Sequence, residues 1–253
     1  MSYSNLIYQG KSSGDLGLMI EYPFNVVHAT PDLDPQHIKG RSGDFLQMDD
    51  SYQNVTETFN CRVYRPPNMS QFDWERNLID WLASPVNKGR KQYQYLQFDA
   101  DPEYVYSAIM QTPPSFTWDT NNIFLATGQI TFYCEPFQYK VNGITYIPLP
   151  DSGVVFNEEM HLAIPNWHFI AKGSFTLNVN GLTYEFSNMD GEFWVNGDTC
   201  DTYDEKGNLF NSQTKFPNLI TPVLKPGENH ISITAEAGVI KKAEYMPRWR
   251  RLI

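Results

Sequence analysis

Glycine, serine and glycine at positions 10, 12 and 14 match the G-x-S-x-G spacing that exposes a serine nucleophile on a strand-to-helix turn. That chemistry needs a helix directly after the serine, and Asp15-Leu16-Gly17 does not start one. The same stretch holds Gly10-Lys11-Ser12, the end of a phosphate-binding loop, but Asn5 stands where the loop's first glycine belongs. His28, Asp32, Asp34 and His37 are metal-ligand types, yet Pro31 and Pro35 forbid a helix there, so the spacing predicts a loop. Asp99-Ala100-Asp101-Pro102 and the group Asp198, Asp201, Asp204 and Glu205 lack the alternate ligands and closing glutamate of a calcium loop, and both are expected to be turns. No carboxylate pair is singled out for general acid and base work. The residues therefore predict no catalytic group, no metal site and no cofactor, and the chain is not expected to be an enzyme.

Composition narrows the partners. The 253 residues carry a formal net charge of −10, which disfavours nucleic acid as a direct ligand because phosphate contacts need a basic face. Lys241, Lys242, Arg248, Arg250 and Arg251 form the one local basic stretch, better explained by solvation and salt bridges. Cys61, Cys134 and Cys200 are too few and too scattered for a disulfide framework or a zinc cluster, and the first two fall on the apolar phase of their strands. No apolar run approaches a membrane span and no signal segment opens the chain, so folding in a reducing cytoplasm is expected. Aromatic residues make up 15% and charged residues 19%, a balance that suits two packed cores and buried interfaces.

The elements that position these residues are mostly strands. Leu6–Tyr8 and Leu16–Ile20 read as an opening hairpin, and Val55, Glu57, Phe59, Cys61 and Val63 mark one face of a long strand. One helix is expected at about residues 70–83. Ser70 and Asp73 resemble a capping box, Trp74, Leu78, Trp81 and Leu82 share a face, and Ser84-Pro85 closes it. Tyr93–Phe98 and Tyr104–Met110 form a strand pair, which Pro113-Pro114 separates from the strands that follow. Ile130, Phe132 and Cys134 alternate along a strand that Pro136 should stop, and Val141-Asn142-Gly143-Ile144 reads as a hairpin turn beyond it. This predicts two domains, 1–136 and 137–253. In the second, Asn180-Gly181 sets a hairpin in which Val179 faces Leu182, Leu177 faces Tyr184 and Phe175 faces Phe186. Further strands are expected at Leu162–Ile170, Glu192–Val195, His230–Ala235 and Val239–Tyr245, the pattern of a sandwich.

Taken in order, these pieces resemble a known family. They are Gly40-Arg41-Ser42-Gly43-Asp44 before the long strand, the single capped helix, Asp101-Pro102-Glu103-Tyr104 with Ala108, and Phe132-Tyr133-Cys134-Glu135-Pro136-Phe137. Gly173, Asn180-Gly181, Asp190-Gly191-Glu192, Tyr203 to Asn208, Phe216-Pro217, Leu224 to Asn229 and the ending Pro247-Arg248-Trp249-Arg250 follow. The set is similar to the distal tail proteins (Dit) of siphophages that infect Gram-positive bacteria. Phe193-Trp194-Val195-Asn196 departs from the family's usual Ile-Asp pair, and Leu219–Val223 looks inserted.

The resemblance implies a mainly β protein, with an N-terminal β domain bearing one helix and a C-terminal galectin-like β-sandwich. It implies a homo-hexameric ring, a structural hub in the virion's tail tip or baseplate, made in the host cytoplasm. That ring would join the major tail protein above to the tail-associated lysin or tip protein below. Its outer domain would hold receptor-binding or baseplate upper proteins, and DNA would pass through an acidic lumen without specific binding. No membrane contact is implied. The alternative is a carbohydrate-binding module recognising cell-wall saccharide, with Trp167, Trp194 and Tyr203 as sugar or partner contacts. A glycan-degrading enzyme carrying a sandwich is the other competing class.

Overall fold

The computed structural model describes residues 2–83, 86–87, 90–217 and 220–253. It is mainly β, with one α-helix among the described residues. No described helix is long and apolar enough to cross a membrane. The chain divides into two compact units, one running to Gln138 and including Leu252 and Ile253, the other Tyr139–Arg251. The last two residues thus return to the first unit. There Ile253 is buried, donates its N–H to the Pro136 carbonyl and accepts from the Ala29 N–H, both at 3.0 Å.

In the first unit, β1 (Ser2–Ser4), β2 (Leu6–Tyr8), β3 (Lys11–Ser12) and β4 (Leu18–Tyr22) precede a hairpin of β5 (Pro31–Gln36) and β6 (Phe45–Tyr52). Then come β7 (Val55–Tyr64), helix α1 (Gln71–Leu82), the short pair β8 (Val86–Asn87) and β9 (Arg90–Lys91), β10 (Gln94–Phe98), β11 (Asp101–Trp118) and β12 (Leu125–Lys140). The main sheet runs β1-β4-β7-β12-β11-β10-β2-β3. Because β1 and β2 are consecutive in the chain yet pair with strands far apart in that order, the sheet must curl round on itself.

Helix α1 closes this curl. Ser70 caps it by accepting the Asp73 N–H at 3.1 Å, while the Asp73 carboxylate accepts from the Ser70 hydroxyl at 2.7 Å rather than reaching a backbone amide. Trp74, Leu78, Trp81 and Leu82 are all buried, as their spacing predicts. Their indoles also donate to main-chain carbonyls, Trp74 to Leu16 at 2.7 Å and Trp81 to Tyr8 at 2.8 Å, which fixes the helix to the N-terminal strands. The expected closing residues Ser84-Pro85 lie outside the described residues, as does Leu219.

Several local expectations fail for identifiable reasons. Leu6–Tyr8 and Leu16–Ile20 do not pair; a 3-10 turn at Ser13–Leu16 intervenes, β2 joins β10, and β4 joins β1 and β7. The prolines of Pro31–Gln36 do not make a loop, because among the described residues this strand pairs with β6 alone and can leave its other edge without donors. Pro113-Pro114 sits inside β11, beyond Ala108 where pairing with β10 ends. Pro136 likewise continues β12, past Cys134 where pairing with β7 ends. A proline breaks a ladder only where its missing N–H was needed.

The second unit holds β13 (Ile147–Pro148), β14 (Val154–Asn157), β15 (Asn166–Val179), β16 (Leu182–Val195), β17 (Thr202–Tyr203), β18 (Thr214–Lys215), β19 (Gly227–Ala235) and β20 (Ile240–Met246). A final strand, β21 (Arg250–Leu252), pairs with β12. Strands β15 and β16 are longer than expected and form one hairpin about Asn180-Gly181, with the predicted register. Both central residues take the positive φ that the turn demands, 53° and 83°. Of the six apolar residues assigned to one face, five are buried; Leu182, beside the turn, is exposed.

The long hairpin folds over. Phe169 and Phe175 are six residues apart, which along a straight strand is roughly 20 Å, yet their ring centroids lie 5.2 Å apart. A register shift between Gly173 and Phe175 supplies the bend, and the two halves of β15 find different partners, β20 for Asn166–Ala171 and β19 for Phe175–Val179. The two inner faces then enclose one aromatic core.

Val141–Gly143 is a 3-10 turn, not a hairpin, and neither Asn142 nor Gly143 has positive φ. Gly143 instead makes room for a neighbour: a Cβ there would stand 2.8 Å from the Trp249 nitrogen. Arg248 N–H to the Gly143 carbonyl, 2.7 Å, and Lys140 N–H to the Trp249 carbonyl, 2.8 Å, lock that approach.

Two substitutions test these local supports by chemical denaturation. Ser70→Ala should lower stability by about 1 kcal/mol through loss of the cap. Gly143→Ala should cost about 1–3 kcal/mol by overpacking against Trp249; an unchanged midpoint would mean that the approach of Trp249 is not a fixed feature.

Candidate functional surfaces

The residues with catalytic spacing do local structural work. Ser12 accepts the Gly14 N–H at 3.3 Å and caps a turn of only four residues, so no nucleophile elbow forms. Among the described residues no three or more of His, Cys, Asp and Glu converge as metal ligands. Asp204 accepts from the Asn208 backbone and side chain, both at 2.8 Å, and so builds its own turn. The Cys61 thiol is buried, and desolvation pushes it up to about 12; Cys134 is raised by the same cause. Neither offers a thiolate near neutrality.

The basic stretch near the chain's end is knitted inward. Arg248, buried and at positive φ, pairs with Asp198 at 2.6 Å, donates to the Tyr139 hydroxyl at 3.0 Å and lies over that ring. Arg250 donates to the Leu162 carbonyl at 2.8 Å, and Lys242 pairs with Glu244 at 3.1 Å. These cations serve the fold of the second unit rather than a phosphate.

Of the three predicted contact residues, Trp167 must be withdrawn. It alternates with His168 on β15, faces inward and is 0% exposed, so no surface ligand reaches it. Trp194 and Tyr203 do come together on the sheet's outer face, half-buried, with ring centroids 6.3 Å apart. The sequence did not single out His168, which completes the row. Its ring stacks on Trp194 at 4.8 Å with 6° between planes, and Tyr146 meets it edge to face at 5.6 Å. Since β16 lies between β15 and β17, His168 and Tyr203 cover opposite faces of the indole. Carboxylates hold both His168 nitrogens, Glu244 at Nδ1, 2.9 Å, and Glu192 at Nε2, 2.8 Å. Both contacts are hydrogen bonds when each ring nitrogen carries a proton. The signal available in the sequence was His168 in the polar phase of a strand whose other phase is Trp167 and Phe169.

The first unit presents a second kind of surface. Tyr3, Met19, Tyr64, Trp118, Leu125 and Ala126 line a mainly apolar groove of about 530 Å³ on the main sheet. Behind it Arg65 is buried with no carboxylate partner among the described residues; it donates to the Met69 and Ile123 carbonyls and its guanidinium lies over the rings of Trp118 and Phe124. Leu33, Ile38 and Phe45 of the hairpin β5–β6 are also exposed. Inside the same unit, Glu57 occupies the apolar phase of β7, and desolvation raises its carboxyl to about 7.

No protein-family model matches the sequence, and no curated protein matches it. Among solved structures, the fold matches the crystal structure of the SPP1 Dit (gp 19.1) protein, described as a paradigm of the hub adsorption apparatus in phages infecting Gram-positive bacteria. The TM-score is 0.62 at 14% identity, over 96% of this chain and 97% of that one. The two proteins share a fold across both units.

The outer row gives a pH prediction. Hydrogen bonding to His168, aided by Lys242, holds the Glu244 carboxyl below its ordinary 4.5. A lowered folded value means the stabilisation is complete above the ordinary value and is lost as pH falls through the lower one. Unfolding midpoints of the second unit should therefore drop below about pH 4.5, and Glu244→Gln should flatten that drop; identical acid profiles for both proteins would refute the assignment.

Proposed function

We propose that this chain is a structural hub of a siphophage tail tip or baseplate, working as a homo-hexameric ring and without enzymatic activity. In this proposal residues 1–136 form the ring and 137–253 a galectin-like lobe facing outward. The ring joins the major tail protein to the tail-associated lysin or tip protein, and the lobe holds receptor-binding or baseplate upper proteins. The observation that carries it is the fold likeness to a phage hub protein over 96% of this chain, covering both units rather than one common sandwich.

Surface physics supports the same assignment. A closed ring is built from heterologous contacts, so each copy needs two different complementary faces. The first unit offers an apolar groove and, separately, an exposed hairpin with apolar side chains. Residues 1–138 also carry nine Lys and Arg against sixteen Asp and Glu, a balance suited to a lumen that lets DNA pass without binding it. The row on the second unit works against the saccharide alternative at Trp194. Sugar stacking needs an open aromatic face, and both faces of that indole are already covered by His168 and Tyr203.

Light scattering with negative-stain microscopy of the purified chain tests the proposal. Six copies of 29.2 kDa, about 175 kDa, should run as a ring with a central opening. A monomer at the highest attainable concentration, together with measurable turnover or calorimetric binding of cell-wall saccharide, would reject it.

A further inference from the structure

Glu57 is the most unusual ionisable group in the first unit. Its side chain is 0% exposed, on the inward phase of β7 between Val55 and Phe59 and opposite Phe132. One carboxylate oxygen, Oε1, accepts the Val27 N–H at 3.0 Å. The other, Oε2, is buried and meets no hydrogen-bond partner among the described residues. A carboxylate in that position is poorly solvated, whereas a carboxylic acid needs far less.

The group it holds is a strap. Residues 23–30 have no regular secondary structure and run across this end of the core. The strap is pinned at its start by Phe24, whose ring lies 5.1 Å from Phe59 and 4.8 Å from Phe98. It is pinned at its end by Ala29, bonded to Ile253, and by Thr30, which accepts the Gln53 N–H at 3.0 Å. Between these anchors Val26 and Val27 point to solvent, and the bond to Glu57 ties that middle stretch to the core. Directly after the strap the chain enters β5 of the exposed hairpin.

We propose that Glu57 is a proton-controlled latch: protonated, it holds the middle of the strap down, and ionised, it favours a state in which Asn25–His28 lifts and water reaches the carboxylate. The hairpin β5–β6, joined to the strap at Pro31, gains freedom when the latch opens. This device is independent of the ring assignment, since it concerns one unit of one copy.

The surrounding charges fit such a latch without abolishing it. His28 on the strap favours the ionised form, and Cys134 on β12 is kept as a thiol by the same burial. Glu135 follows on the opposite face of β12 and adds negative charge nearby. Burial outweighs His28 and the Val27 N–H, leaving the carboxyl raised from 4.5 to about 7. With the latched value raised and the open value ordinary, latching is strongest below 4.5, weakens as pH rises through the interval, and levels off above about 7.

Hydrogen exchange of the intact chain reads this directly, after correction for the intrinsic pH dependence of exchange. The Val27 amide should lose protection about tenfold per pH unit between roughly 5 and 7 and then reach a plateau, while amides of β7 stay constant. Glu57→Gln keeps the acceptor for Val27 and cannot ionise, so its strap should be equally protected at all these pH values. A wild-type strap with flat protection, or a Glu57→Gln strap with the wild-type pH dependence, would overturn the proposal. Should the variant fail to fold, carbon-detected NMR of glutamate carboxyls in the wild type decides alone. One carboxyl titrating near neutrality in step with the Val27 amide supports the latch, and no carboxyl titrating above pH 6 removes it.

Discussion

A β-strand turns alternate side chains to opposite faces, and that period of two governs both units of this protein. Along β7 it sends Val55, Phe59, Cys61 and Val63 into the core and, by the same rule, Glu57 with them. Along β15 it sends Trp167 and Phe169 inward and turns His168 to the opposite face, where it is itself buried against Trp194. A shift of one residue in either strand would exchange the faces wholesale, placing a row of aromatic rings in water and charges in the core. The turns, bulges and caps act chiefly to hold that phase. Asn180-Gly181 fixes it at one end of the β15–β16 hairpin, and the register shift near Gly173 lets the sheet fold without losing it.

Three buried charges show how the core treats groups that this pattern forces inward. Arg248 has a carboxylate, a hydroxyl and an aromatic face, so its charge is matched in place. Arg65 has carbonyls and two rings but, among the described residues, no carboxylate, a weaker arrangement that still uses the guanidinium's flat shape. Glu57 has one amide and one oxygen that meets no partner among the described residues. The order runs from a group that can stay charged, through one that must, to one for which giving up the charge is the easier course.

What could be read from the sequence follows the same physics. The alternation of β7, the helix stripe and the β15–β16 register were legible because each depends on neighbours only a few residues away. The prolines misled because the cost of a missing N–H depends on whether a strand lies beside it, which the linear chain does not state. Pro113, Pro114 and Pro136 all sit where a neighbouring strand has already ended. Asn142-Gly143 misled in a related way: glycine there answers the close approach of Trp249, a residue over a hundred positions away, and not a local turn. Trp194 and Tyr203 could be nominated by type, but Trp167 could not be excluded until its phase on β15 was known. His168 was hidden because its importance comes from three strands meeting, β15, β16 and β20.

The orientation of the outer aromatic row bears on what kind of partner the second unit could take. Rings that stack face to face across neighbouring strands stand upright on the sheet and show their edges outward. An edge carries hydrogens and a slight positive potential, whereas stacking on the apolar face of a sugar needs the flat side. Here the two broad faces of Trp194 are taken by His168 and Tyr203, and His168 is itself clamped between glutamates. Such a row is rigid before any partner arrives, so docking onto it would order few side chains further. A stiff row whose broad ring faces are occupied cannot supply the flat stacking platform that a saccharide ring uses, and that geometric mismatch is the ground on which the proposed hub is preferred to the saccharide-binding alternative.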